Sequence, residues 1–248
     1  MARRQWIPGK KSFQKKLKNN ILSNQLVYSV NVSDDKVHVD CIDSISHKPI
    51  RYICNNCILA IPQFITNRLL SQVNKPSGKA TFSYAPWMVA NITLKEFKDR
   101  KGAPLSWDNV FYDSKSLGYV NANHQHENSF HEKRVITYYL PLTDSDPVTE
   151  RKKLYETDAQ YWKNHIINDL SQMHPDIDKS IENIDIWRWG HGMVRPIPGF
   201  IWSDERKNAR HNIDHKIFFA HSDLSGISIF EEAFYHGTRA AKELLNKL

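Results

Sequence analysis

Cysteine is scarce in this chain and glycine is scattered. Three cysteines in 248 residues, Cys41, Cys54 and Cys57, exclude the disulfide framework of a small secreted domain. The nine glycines stand apart, and the one near pair, Gly190 and Gly192, runs on into Met193, Val194 and Arg195. That leaves no GxGxxG turn to grip a dinucleotide pyrophosphate. No apolar run approaches the roughly 20 residues of a bilayer-spanning helix. Arg3 and Arg4 lead to Gln5, Trp6, Ile7 and Pro8 and then to more lysines, so no hydrophobic signal region follows them. The setting expected from these absences is soluble, reducing and cytoplasmic.

What is present suffices for a packed core. The chain is 40% hydrophobic and holds seven tryptophans, which argues against disorder. Its length allows one large domain or two small ones. A net charge of +7 is concentrated early, at Arg3, Arg4, Lys10, Lys11, Lys15, Lys16 and Lys18. Such a run suits a nucleic-acid arm. It equally suits the solvated face of a helix over 10–20, because Phe13, Leu17 and Ile21 recur beneath it at helical spacing. The helical face is the expectation, with nucleic-acid binding kept as an alternative.

Strand-like pieces follow at 25–32, 36–42 and 50–61. The first two alternate and are joined at Asp34-Asp35, a natural turn. The third ends in an apolar run, Cys57 to Ile61, stopped by Pro62, and a helix to about Leu70 is expected after it. Residues 80–95 and 107–123 read as strand-rich, and 134–142 as another strand. A helical region is expected from Thr149 to Met173, with Pro175 just past its end. Residues 184–202 suit a strand feeding a Pro/Gly-broken loop. Finally, Ile217–Ala220 is a short apolar strand, followed by a polar turn and a helix. Ser228 and Glu231 have capping-box spacing. The helix's buried stripe is expected at Phe230, Ala233, Phe234, Gly237, Ala240, Ala241, Leu244 and Leu245.

The ordered segments IPGKKSFQKKLKNNI, QLVYSVNV, CILAIPQFITNRLL, APWMVANITL, LGYVNANHQ with VITYYLPL, IWRWGHGMVRPIPG and FFAHSD…FEEAFYHGTRAAKELL carry a resemblance. Together they resemble the C-terminal portion of FAD-dependent amine oxidase-like flavoproteins, the superfamily of amine oxidases, carotenoid desaturases and protoporphyrinogen oxidases. The resemblance implies an α/β (mixed α+β) fold. It would comprise an incomplete FAD/NAD(P)-binding Rossmann-like domain over 1–62 and 205–248, and a substrate domain with a mixed β-sheet and helices over 63–204. It implies FAD as cofactor, with the glycine-rich N-terminal unit missing. The chain is then expected to be N-terminally truncated, to bind FAD weakly alone, and to need a separately encoded FAD-binding half as partner.

Matched residue by residue, Val27 takes the position whose backbone meets the adenine. Ala220 takes the alanine of the family's AGD/AGE motif, with His221 where glycine stands, Ser222 where the acid stands, and Asp223 one step later. The family's EGA becomes Glu231-Glu232-Ala233, so a carboxylate replaces the glycine that lets the flavin approach. Ile229 stands where amine oxidases commonly carry an aromatic. The cofactor contacts implied are therefore Val27, Ser222, Asp223, Ile229, Phe230 and Glu231. The implied reaction is hydride transfer from a substrate C–N or C–H bond to flavin. Trp87, Tyr119, Trp187, Trp189 and Trp202 suit either an apolar substrate pocket or a core; His191 and Arg195 would orient a substrate or simply face solvent. Trp87, Tyr119, Trp189 and His191 are taken as the substrate contacts for a small molecule. No catalytic acid or base is assigned.

Two other constellations carry chemistry. Gly118-x5-His124-x-His126-x5-Glu132 resembles half of a cupin metal motif, since two histidines on alternate strand positions share a face. A cupin-like metal enzyme using His124 and His126 is thus a second alternative, although the second cupin half is not evident. Cys54-x2-Cys57 has the spacing of a redox or zinc pair, but only Cys41 remains to complete a zinc site.

Overall fold

The computed structural model describes residues 21–70, 82–95, 106–122 and 133–247. The basic run, the helix expected over 10–20, and His124, His126 and Glu132 lie outside the described residues. Two compact units result, one from 1–81, 202–224 and 229–248, the other from 82–201 and 225–228. Among the described residues no helix is long and apolar enough to cross a membrane.

The first unit opens with an antiparallel meander of β1 (Gln25–Ser33), β2 (Lys36–Asp43) and β3 (Pro49–Cys54). Asp34 and Asp35 join the first two strands at φ 50° and 60°, the twist that a two-residue type I′ hairpin needs. Across the second pairing Arg51 forks onto Asp40, with Nε–Oδ1 at 2.6 Å and Nη2–Oδ2 at 3.1 Å. The single piece expected over 50–61 is divided at Asn55-Asn56. β4 (Cys57–Leu59) leaves the meander and pairs in parallel with β10 (Ile217–Phe219), Phe218 opposite Ile58. Chain separation explains the division: a strand shared between an antiparallel meander and a parallel ribbon would have to face two sheets at once. After Pro62 comes α1 (Gln63–Leu69). Beyond a short helix, α5 (Asp204–Asn208), the unit closes with β10, a 3-10 turn over Ser222–Ser225, and α6 (Phe230–Leu245).

The second unit is a five-stranded antiparallel sheet of order β6-β7-β8-β5-β9. Its strands are β5 (Tyr84–Lys95), β6 (Asp108–Asn109), β7 (Tyr119–Asn121), β8 (Lys133–Pro141) and β9 (Ile181–Val194). The period-2 pattern of β5 places Met88, Ala90, Ile92 and Leu94 on one face, where they are fully buried with Leu154, Trp162, Ile166 and Leu170. The helical region expected from Thr149 to Met173 is two helices, α2 (Pro147–Glu156) and α3 (Ala159–Met173), followed by α4 (Ile177–Ser180). Each of the first two is started by an aspartate. Asp146 accepts the Val148 and Thr149 N–H groups, and Asp158 accepts that of Tyr161. Beneath the sheet, Asp169 Oδ2 accepts from Tyr138 Oη at 2.7 Å, Ser116 Oγ at 2.7 Å and Ser114 Oγ at 2.8 Å. Burial, and then this bond to Asp169, push the Tyr138 phenol well up.

β9 does not break at its glycines. It runs on through Gly190 and Gly192 to Val194, so His191 lies in a strand and not in the loop expected there. The glycines give space instead. A Cβ on Gly190 would stand 2.5 Å from the Tyr155 hydroxyl, and one on Gly192 would stand 2.8 Å from Trp87 Cδ1. Tyr155 Oη accepts the Gly190 N–H at 3.1 Å, and Arg151 Nε donates to the Gly190 carbonyl at 2.7 Å.

Candidate functional site

In the first unit the candidate site is the strand–turn–helix at the chain's end together with the strand beside it. β10 is wholly apolar and buried, which suits a strand covered on both faces. Its last residues enter the 3-10 turn, where Ser222 and Asp223 are buried. The Asp223 carboxylate is already engaged: Oδ2 accepts the N–H of Gln63, the first residue of α1, at 2.9 Å. Its own N–H donates to His221 Nδ1 at 3.2 Å, so the histidine standing at the expected glycine folds back onto the turn. Val27 is half-buried at a register shift of the β1–β2 pairing.

α6 starts differently from the capping box. Its N-cap is Ile229, which makes no side-chain bond to the helix. Ser228 Oγ, the expected cap, accepts the Val194 N–H at 3.1 Å instead. The helix therefore ends in N–H groups without a side-chain cap, beside Glu231 and Glu232 in the first turn. The buried stripe also differs. Ala240 and Leu244 pack on Phe218 and Ala220, whereas Phe230 is 77%, Phe234 67% and Leu245 66% exposed. Gly237 has no atom within 4 Å of an added Cβ, so it allows no close approach to the sheet.

Sequence reasoning missed Gln63. Its Oε1 and Nε2 are buried without a hydrogen-bond partner, although the residue is 1% exposed. An orphaned buried amide costs about 1–3 kcal/mol and calls for an explanation such as an arriving ligand group. The available signal was its position directly after the CILAIP run.

FAD can be tested against these residues. An uncapped helix end is suited to the negative N1–C2=O edge of a flavin ring, so the ring end fits. The pyrophosphate end does not fit, because the glycine-rich turn it needs is not within these 248 residues.

The second unit carries an aromatic face. On the side of the sheet away from its core, Trp87 and Trp189 are opposite one another, as are Val89 and Trp187. Trp189 remains 53% exposed. Trp87 Nε1 is buried without a partner. His191 packs edge-on to Tyr84 at 5.6 Å, and desolvation, then Arg151, hold its pKa below the usual value. Tyr119 does not join this group. It sits in the core on the opposite face, its hydroxyl 2.7 Å from His174 Nε2. Trp202 is exposed and belongs to the first unit. Cys54 and Cys57 are in different sheets, and burial, then Cys54, push the Cys57 thiol up to about 11, which keeps it protonated at neutral pH.

No family model matches the chain, and no curated protein sequence matches it. Solved structures do. A candidate protoporphyrinogen oxidase from Exiguobacterium sp. 255-15 superposes with a TM-score of 0.65 at 12% identity, covering 95% of this chain and 51% of its own. Cyclohexylamine oxidase from Brevibacterium oxydans superposes with a TM-score of 0.66 at 9% identity, covering 93% of this chain and 50% of its own. The chain spans about half the length of these structures. The fold is thus a mixed α/β arrangement resembling that of these two oxidase structures.

Proposed function

We propose that this chain is the closing half of an FAD-dependent, amine oxidase-like oxidoreductase. The observation that carries the reading is the parallel β4–β10 ribbon leading through a buried 3-10 turn to a helix without an N-terminal side-chain cap. The likeness to two oxidase structures supports it at the level of fold. In this reading the first unit is a partial FAD-binding domain and the second binds substrate. The first N–H groups of α6, with Ile229, Phe230 and Glu231 around them, face the flavin ring. Val27 meets the adenine, Ser222 and Asp223 shape the turn, and Gln63 offers its amide to the cofactor. When bound, FAD supplies the acceptor for a hydride from a substrate C–N or C–H bond. The chain's share is to orient and desolvate: Trp87, Trp189 and His191 form an apolar wall with one polar group for a small molecule.

The phosphate-gripping unit is proposed to come from a separately encoded polypeptide, the chain being the C-terminal portion of a two-part cradle. The purified chain is accordingly expected to be colourless and to bind FAD weakly or not at all. With a glycine-rich dinucleotide-binding partner it is expected to take up FAD with a flavin absorbance spectrum. A complex that forms yet takes up no flavin at saturating FAD would defeat the reading.

A further inference from the structure

A cavity of about 210 Å³ lies within the second unit, between the end of β8 and the helices α2 and α3. Leu140 of β8, Leu142 just past it and Trp162 of α3 give it apolar walls, and all three belong to the core beneath the sheet. The cavity therefore opens on the core side, across the sheet from the Trp87–Trp189 pair. Its volume falls below the roughly 300–1,000 Å³ of pockets for drug-sized ligands, so an occupant has to be small.

Two buried polar groups in its lining are unanswered. Trp162 is 2% exposed, and its indole Nε1 has no hydrogen-bond partner. Glu150, in the first turn of α2, is 3% exposed, and its carboxylate makes no hydrogen bond or ion pair among the described residues. A buried carboxylate without a partner is costly, and each orphaned buried donor calls for an explanation. The carboxylate is complementary to a cationic donor, the indole N–H to an acceptor.

The remaining charges narrow the choice. Lys115 Nζ donates to both carboxylate oxygens of Asp144 at 3.0 Å, so that pair offers a ligand little net charge. Lys153 is exposed and makes no ion pair among the described residues. Glu150 and Lys153 are three apart on α2, which sets their Cβ atoms about 5–6 Å from each other. Burial holds the His165 pKa below its usual value; Asp169 opposes this, and Lys153 and then Lys115 reinforce it. The histidine is thus neutral at pH 7 and adds no charge to the wall. A plain amine would answer Glu150 but leave the indole N–H orphaned and meet Lys153. A plain carboxylate would answer Trp162 and Lys153 but meet Glu150. A molecule carrying both charges answers all three.

We propose that this cavity binds a small zwitterion, an amino acid whose ammonium group pairs with Glu150 and whose carboxylate takes the Trp162 indole N–H and the Lys153 ammonium. The site is distinct from the aromatic face assigned to substrate and does not depend on the flavoprotein reading.

The test is NMR titration of the purified 248-residue chain, labelled with nitrogen-15 at tryptophan, with glycine, L-leucine and 4-aminobutyrate in the absence of FAD. At least one of the three is expected to shift the Trp162 indole resonance saturably, that resonance being assigned by its loss in Trp162→Phe. The same compound binds about tenfold or more tighter than butylamine or butyrate, since each of these forfeits one charged contact. Glu150→Gln weakens binding by about tenfold or more, and Lys153→Met by about threefold, with the circular dichroism of the chain unchanged. Lys153 is exposed, so its variant decides the matter if Glu150→Gln fails to fold. The proposal is overturned if none of the three compounds binds, if butylamine or butyrate binds as tightly, or if binding ignores both substitutions. It is overturned equally if the Trp87 or Trp189 resonance moves in place of that of Trp162, which would put the ligand on the aromatic face. Because no flavin is present, failure here leaves the flavoprotein reading untouched, and a chain that never takes up FAD leaves this site standing.

Discussion

Gly118 sits at φ +72°, and a Cβ there would overlap the carbonyl oxygen of Asn109. Because the obstacle is backbone on the paired strand, it cannot swing away. Gly118→Ala is expected to cost on the order of 2–4 kcal/mol, from a left-handed backbone and overpacking together, read by urea unfolding. Gln63 is expected to behave in the opposite sense. Gln63→Leu removes an unpartnered buried amide at similar volume, so the free chain should gain about 1–2 kcal/mol while FAD uptake by the partnered chain weakens. Equal stability with unchanged uptake would show that the amide faces nothing of importance. His236 gives a pH signature. Burial, then Arg239, lower its pKa to about 4, with Arg210 and Arg206 adding to this and Glu232 opposing it. Its Nδ1 accepts from Arg239 Nε at 3.3 Å. The unfolded chain binds this proton near pH 6.5 and the folded chain near pH 4. The contribution is therefore complete above pH 6.5 and falls away between about 6.5 and 4, by roughly 2–3 kcal/mol. Unfolding at pH 7 and pH 5, compared with His236→Gln, checks it.

At the scale of elements, Asp223 ties the closing turn to the start of α1. Asp223→Ala should cost about 1–2 kcal/mol even without any cofactor, because the Gln63 N–H then loses its acceptor. Guanidinium unfolding of the isolated chain measures this. Elements whose signals are local were legible before the structure. The Asp34-Asp35 hairpin, with its alternating strands expected over 25–32 and 36–42, was read at nearly its observed bounds. Signals that depend on a distant partner were not. Ser228 has the spacing of a cap but is claimed by the Val194 N–H. Asp158 divides one apparent helix into two because its side chain serves the Tyr161 N–H. Gly190 and Gly192 read as a broken loop, yet they lie inside a strand because Tyr155 and Trp87 occupy the space of their missing side chains.

Across the whole molecule, protection should follow how completely each sheet is covered. The five-stranded sheet has a closed core beneath β5 and β8, with Met88, Ile92 and Ile136 fully buried. The β4–β10 ribbon has two strands of three residues, short of what a sheet needs to stand alone. Hydrogen exchange of the free chain is expected to be slowest in β5, β8 and α3 and clearly faster at Cys57–Leu59. Uniform protection of both would contradict the picture of an unfinished ribbon. The aromatic face shows the same division between pattern and packing. Trp87 and Trp189 were read as neighbours of Tyr119, but strand parity puts the tryptophans on one side of the sheet and Tyr119 in the core on the other.

From residue order alone come the element types, the proline and aspartate punctuation, the amphipathic closing helix and the absence of a phosphate-gripping turn. These depend on interactions within a few residues, where periodicity and turn chemistry act directly. Only the tertiary structure decided that β4 leaves its meander to pair with β10, that Asp223 serves α1, and that Phe230, Phe234 and Leu245 of the closing helix stay exposed. Each of those outcomes is a competition between partners far apart in the chain, and local spacing holds no record of which partner wins.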